Sequence, residues 1–460
     1  MVSNSQGEPY GRRVNLKGGL GLRNLNLSRS AKAAPLTGAT MRPMPSPARR
    51  LVAIVVLLLS VAMVAFVGLR WAGIEIGIGQ LGSPTPVPPT PSAEPSGPTP
   101  SPDPLTVFAQ IEDQVESLRG LPPADIGPPE ILTRAALADT LPGLIEPPLD
   151  NVTLRAMGLL SADQDVVALT NQLYIAQVLG YYDFDARRMV LVSDAGLTAQ
   201  ARITYAHEYT HALQDAAFDS GAAFEAVAGE RDRELALLGL EEGDASVAMV
   251  LWAIGHLTAE EMTGITETPL PDMSGVPAWM VRLLEYPYLS GAEFVGQLYA
   301  SGGWEAVDAV YADPPRSSEQ VLHPEKYIDR EQPDEFERLE LESALGSDWT
   351  RATETTMGEA WIATWLEGIG VGVDPAVGAA AGWGGDRLSV AAGPSDGWAL
   401  AWRISWDASS DATEFEAAYA GVESALPFPT QLVRDSALVT TVFQASGDDV
   451  LAEVAALVGS

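Results

Sequence analysis

Residues 205–215 of this 460-residue chain read YAHEYTHALQD and hold two of its four histidines. Positions i and i+4 of a helix lie one above the other, so His207 and His211 face one point and suit a single metal ion. Glu208 follows the first histidine directly and cannot easily reach the same ion as a third helix ligand. Its place suits a general base, taking a proton from water and passing it to a leaving amine.

A third ligand must come from elsewhere. In RELALLGLEEGDASVAMVLWAIG one helical face carries Leu235, Leu238, Glu242, Ala245, Met249 and Trp252. A carboxylate on an apolar stripe is costly unless it is paired, protonated or metal-bound, and this pattern selects Glu242 over Glu241. Glu241 shares its face with Glu234 and Asp244, which reads as solvated, while Gly243 is a candidate break in the helix. Two imidazoles and one carboxylate leave a Zn²⁺ ion with net positive charge and an open position for water. That charge lowers the pKa of water and polarises a peptide carbonyl.

Several elements must position these groups. The motif helix is expected from Thr198 or Ala199 to Phe218, and another over Ser161–Val178, with helical signals also from Val107. YYDFDARRMVLVSD reads as a turn and a strand, with Met189–Val192 as its apolar run. Residues 278–340 read as short helices mixed with turns, Gly302 and Gly303 before Trp304 marking a turn. Beyond them EAWIATWLEGIG is helical, and GWGGDRLSVAAG with WALAWRISWD suggests a strand pair. A helix near Ala412–Leu426, a strand near Leu438–Phe443 and a terminal helix complete an α+β reading.

Charge is divided unevenly. Of 27 Lys and Arg and 61 Asp and Glu, residues 1–50 hold nine and one, leaving 18 against 60 in the remainder. So acidic a body argues against nucleic acid as a partner, because phosphate binding needs basic patches. The absence of Cys excludes a cysteine nucleophile and thiolate-bound zinc.

Residues 51–69, LVAIVVLLLSVAMVAFVGL, carry no charge. At about 1.5 Å per residue they cover about 28 Å, against a hydrocarbon core of about 30 Å. The basic leader ending in Arg49 and Arg50 keeps the N-terminus cytoplasmic and the body outside. A cleaved signal peptide and a buried core helix are the alternatives to this single-pass membrane anchor. Ten of the 21 residues from Pro84 to Pro104 are proline, which suits a stiff extended spacer. The expected organisation is a basic tail (1–49), a transmembrane helix (50–70), a Pro-rich spacer (71–104), a catalytic domain (105–350) and a C-terminal α+β subdomain (351–460).

HEYTHALQD, followed some thirty residues later by EEGDA, resembles the gluzincin branch of HExxH metallopeptidases. YYDFDARRMVLV, YPYLSGAEFV, GGW, SSEQVLHPEKY and GWGGDR resemble bacterial membrane-anchored or secreted proteins of that clan, over roughly Tyr181 to Arg387. The resemblance implies a zincin-like fold, mainly helical with a small mixed or antiparallel sheet. It implies zinc held by His207, His211 and Glu242, and peptide or protein substrates. It also implies a histidine or tyrosine beyond the glutamate helix that stabilises the oxyanion, here His323 or Tyr327. EGDAS departs from the thermolysin-like pattern, so a carboxylate orienting a ligand histidine is expected from Asp215 or Asp244. His256 reads as structural. An inactive peptidase-like binding or cell-envelope protein, and a metal-dependent hydrolase of a non-peptide amide, are the competing functions.

Overall fold

Thr198 starts the motif helix, its side chain accepting from the Ala201 amide at 3.1 Å, and the helix runs Ala199–Phe218 until Asp219 turns left-handed. Every residue from Ile203 to Gln214 is buried. This description comes from a computed structural model covering residues 103–140, 145–266 and 272–457. The expected basic tail, membrane anchor and all but the last two residues of the Pro-rich spacer lie outside the described residues; Pro104 itself opens the first described helix. Among the described residues no helix is long and apolar enough to cross a membrane.

Neighbours on several sides bury the histidine helix. Strands β1 (Glu130–Leu132), β2 (Gly180–Asp183) and β3 (Arg188–Val192) form a mixed sheet ordered β1-β3-β2, with β2 and β3 an antiparallel hairpin. Gly180 allows close approach, since a Cβ there would stand 2.8 Å from Thr204 Cγ2. The first described helix, Pro104–Arg119, brings the Phe108 ring to 4.4 Å from that of Tyr205. From the same helix Glu116 accepts from the Tyr209 hydroxyl at 2.5 Å.

The glutamate helix runs unbroken over Arg231–His256. Gly243 does not interrupt it; that glycine and Gly239 leave room for a crossing helix. The partner is the long helix Ala278–Tyr311, non-helical only at Gly302 and Gly303. The expected Gly302–Gly303 turn is the kink in this helix, and short helices follow at Ser318–Leu322 and Pro324–Ile328; before the kink the helix continues through the buried Pro287. The helix expected over 161–178 begins instead at Val166, where Asp165 caps it by accepting from Ala168 N at 2.9 Å.

Five antiparallel strands follow: β4 (Thr350–Thr355), β5 (Trp383–Ala392), β6 (Trp398–Trp406), β7 (Thr430–Arg434) and β8 (Val439–Ala445), ordered β4-β5-β6-β8-β7. The expected strand pair forms β5 and β6. The unexpected β4 and β7 are the edges, where TRATET and TQLVR show little apolar alternation. The Asp386 carboxylate in GWGGDR accepts from Gly358 N (2.8 Å), Met357 N (3.0 Å), Trp383 Nε1 (3.0 Å) and Trp402 Nε1 (2.8 Å). It ties the sheet to the start of the helix Gly358–Gly368. One buried apolar cluster includes Tyr288, Phe294, Trp365 and Trp402, so the core continues across position 350. The architecture is α+β.

Candidate metal centre

The histidine helix and the glutamate helix bring three donor atoms together. Nε2 of His207 lies 3.0 Å from Nε2 of His211 and 3.0 Å from Oε2 of Glu242, and His211 Nε2 lies 3.5 Å from that oxygen. A tetrahedral ion with bonds of about 2.0–2.1 Å has ligand-to-ligand edges of about 3.3–3.4 Å, so this triangle fits. Two imidazole nitrogens this close, both aimed at a carboxylate, suit a cation among them. Burial opposes charging His211, but the hydrogen bond and charge of Glu242 outweigh burial and push its pKa up to about 9. Burial lowers the pKa of His207. Burial also works against a charged Glu242, yet the two imidazoles hold its pKa below the usual value.

Glu208 is buried beside the cluster, and its charge acts on His211 and Tyr288. Two residues that the sequence did not single out complete the surroundings. Tyr288 of the long helix donates to Glu242 Oε1 at 2.8 Å and stacks over the His207 ring at 6.2 Å between centroids. Gln214 Oε1 lies 2.6 Å from His211 Nδ1. A spacing of three puts Gln214 within reach of His211, just as a spacing of four does Asp215; Tyr288, 46 positions from Glu242, gave no such signal. Tyr174 is a second phenol in electrostatic reach of Glu242, its pKa raised by burial and by that carboxylate to about 12.

The expected orienting carboxylates are engaged elsewhere. Asp215 points toward the hairpin, accepting from the Tyr182 hydroxyl at 3.2 Å, and lines a cavity of ≈ 170 Å³ with Arg187 and Asp219. Asp244, two residues past Glu242, faces the first helix. It accepts from Arg119 Nε and Nη2 at 2.8 and 2.9 Å and from the Tyr311 hydroxyl at 2.7 Å. Asp244 and Glu241 are both fully buried, not solvated. Glu241 accepts from Ser220 Oγ at 2.6 Å, and burial pushes its pKa up to about 8. Direction, rather than burial, distinguishes the two adjacent glutamates.

The expected oxyanion residues also find other partners. His323 Nε2 pairs with Glu359 Oε1 at 3.0 Å, and the Tyr327 hydroxyl donates to the Asp313 carbonyl at 2.9 Å. Neither hydrogen-bonds to the histidine–glutamate cluster. His256 caps its own helix, Nδ1 lying 2.9 Å from the Trp252 carbonyl. The carboxylates of Glu319, Glu331 and Asp407 also converge, but the Lys326 ammonium already lies 2.6, 2.9 and 2.5 Å from them.

Residues 345–451 match a family model described as a domain of unknown function, DUF8575. No curated protein and no solved structure matches the chain. The DUF8575 segment contains β4 to β8 and Asp386, while the three donor residues lie outside it.

Proposed function

We propose that this chain is a zinc-dependent peptidase of zincin-like fold, anchored by residues 51–69 with its body outside the membrane. The observation that carries the reading is the Nε2–Nε2–Oε2 triangle of His207, His211 and Glu242 with Glu208 beside it. A bound zinc ion supplies Lewis acidity, acidifying water and polarising a carbonyl. Glu208 takes the proton of the attacking water and returns it to the leaving amine. Tyr288 holds Glu242 by its other oxygen.

One observation favours a second reading. His207, Glu208 and His211 are wholly buried and Glu242 is 1% exposed, so a substrate enters only if the cover over them moves. A binding or cell-envelope protein that keeps a metal for stability has no such requirement.

Glu208→Gln separates the two. The peptidase reading expects parental zinc content and a loss of hydrolysis of about 10²–10⁴-fold in digestion of a broad peptide library. Parental hydrolysis in the variant rules out Glu208 as the base. No cleavage by the zinc-loaded parent favours the structural reading.

A further inference from the structure

The side-chain amide of Gln214 is fully buried and joins the two metal-site helices. Its Nε2 lies 2.9 Å from the main-chain carbonyl oxygen of Glu241, and its Oε1 lies 2.6 Å from Nδ1 of His211. A carbonyl only accepts, so the amide NH₂ must face Glu241 and the amide oxygen must face the imidazole. That oxygen also only accepts, so Nδ1 of His211 carries the hydrogen. In the neutral ring Nε2 then keeps a bare lone pair, and it is this atom that lies 3.0 Å from His207 Nε2 and 3.5 Å from Glu242 Oε2.

We infer that Gln214 is the positioning residue of the metal centre, locking His211 in its metal-binding tautomer and pinning the glutamate helix beside Glu242. The inference rests on the metal-site reading above. One amide performs both tasks because Glu241 and Glu242 are adjacent: the main-chain contact at one sets the reach of the other's side chain. The arrangement is one-sided. Nδ1 of His207 is buried and has no hydrogen-bond partner among the described residues, so ring orientation is enforced through His211. Partners of this kind typically change metal affinity by about 10–100-fold when removed.

Two measurements on the full chain test this. With four histidines, long-range ¹⁵N–¹H spectra of the zinc-loaded parent are readily assigned. They should show His211 protonated at Nδ1; a proton on Nε2 overturns the inference. Zinc competition against a chelator should show Gln214→Leu weakened about 10–100-fold, and Gln214→Glu, which keeps an acceptor for Nδ1–H but loses the donor to the Glu241 carbonyl, weakened less than about 10-fold. Gln214→Leu binding zinc like the parent overturns the inference, even if its metal-free form melts lower, because the residue then only packs. Equal weakening in both variants overturns the tautomer lock. Should Gln214→Leu fail to fold, the parental spectrum and Gln214→Glu decide. A parent that binds no zinc overturns the metal-site reading itself, and this inference with it.

Discussion

Gly243 and Gly291 meet main chain to main chain: a Cβ on Gly243 would stand 2.2 Å from the Gly291 carbonyl oxygen. The same crossing places Gly291 so that its own Cβ would stand 2.2 Å from the Gly239 carbonyl oxygen. Tyr288 lies three residues before Gly291 on the same helix, and its hydroxyl donates to Glu242 Oε1 at 2.8 Å.

Gly243→Ala should therefore destabilise the protein despite the better helix propensity of alanine. Propensity favours alanine by about 1 kcal/mol, whereas overpacking costs typically about 1–3 kcal/mol and more where backbone must yield. Thermal melting of the metal-free protein reads the effect. An unchanged or higher melting temperature contradicts this crossing geometry.

Metal content should separate the adjacent glutamates. Glu242→Ala removes a donor of the triangle and should lose zinc on dialysis. Glu241→Ala should keep it, while losing about 1–3 kcal/mol because Ser220 is left without its buried partner. Equal zinc loss in both variants contradicts the assignment of Glu242.

Arg119 and Asp244 form a buried ion pair at 2.8 Å, both side chains fully covered. Arg119→Ala leaves a buried carboxylate with the Tyr311 hydroxyl alone, and breaking such a pair costs about 3–5 kcal/mol. Denaturant unfolding checks this. A loss below about 1 kcal/mol, the range of an exposed pair, means that the first helix does not clamp the glutamate helix as described.

His323 should contribute a pH-dependent share of stability. Its hydrogen bond to Glu359 raises its pKa above the ordinary value, helped by the charges of Glu359, Glu319 and Glu325. A raised folded-state pKa gives stability that is complete below the unfolded value of about 6.5 and is lost as pH rises through the folded value. His323→Gln should therefore fall furthest behind the parent in mildly acidic buffer, and the gap should narrow with rising pH. Unfolding curves at a series of pH values measure it; a gap that widens toward alkaline pH contradicts the His323–Glu359 pairing.

Local pattern was enough for the histidine helix, because HEYTH puts both imidazoles on one face and Thr198 caps the first turn within the same segment. Glu242 was legible for a related reason: a lone acid on an apolar stripe reports an unusual environment. The α+β class followed from strand and helix periodicities that each lie within a few residues. Burial of Glu241 and Asp244 was not legible, since the partners that make it tolerable, Ser220 and Arg119, lie 21 and 125 positions away. Nor was the exchange of Asp215 for Gln214 at His211, which depends on where the hairpin and the glutamate helix lie around one turn. His323 and Tyr327 were placed by resemblance, and tertiary packing gave them Glu359 and Asp313 instead. Spacing along a helix fixes which side chains share a face; only the packing of other helices against it decides what that face meets.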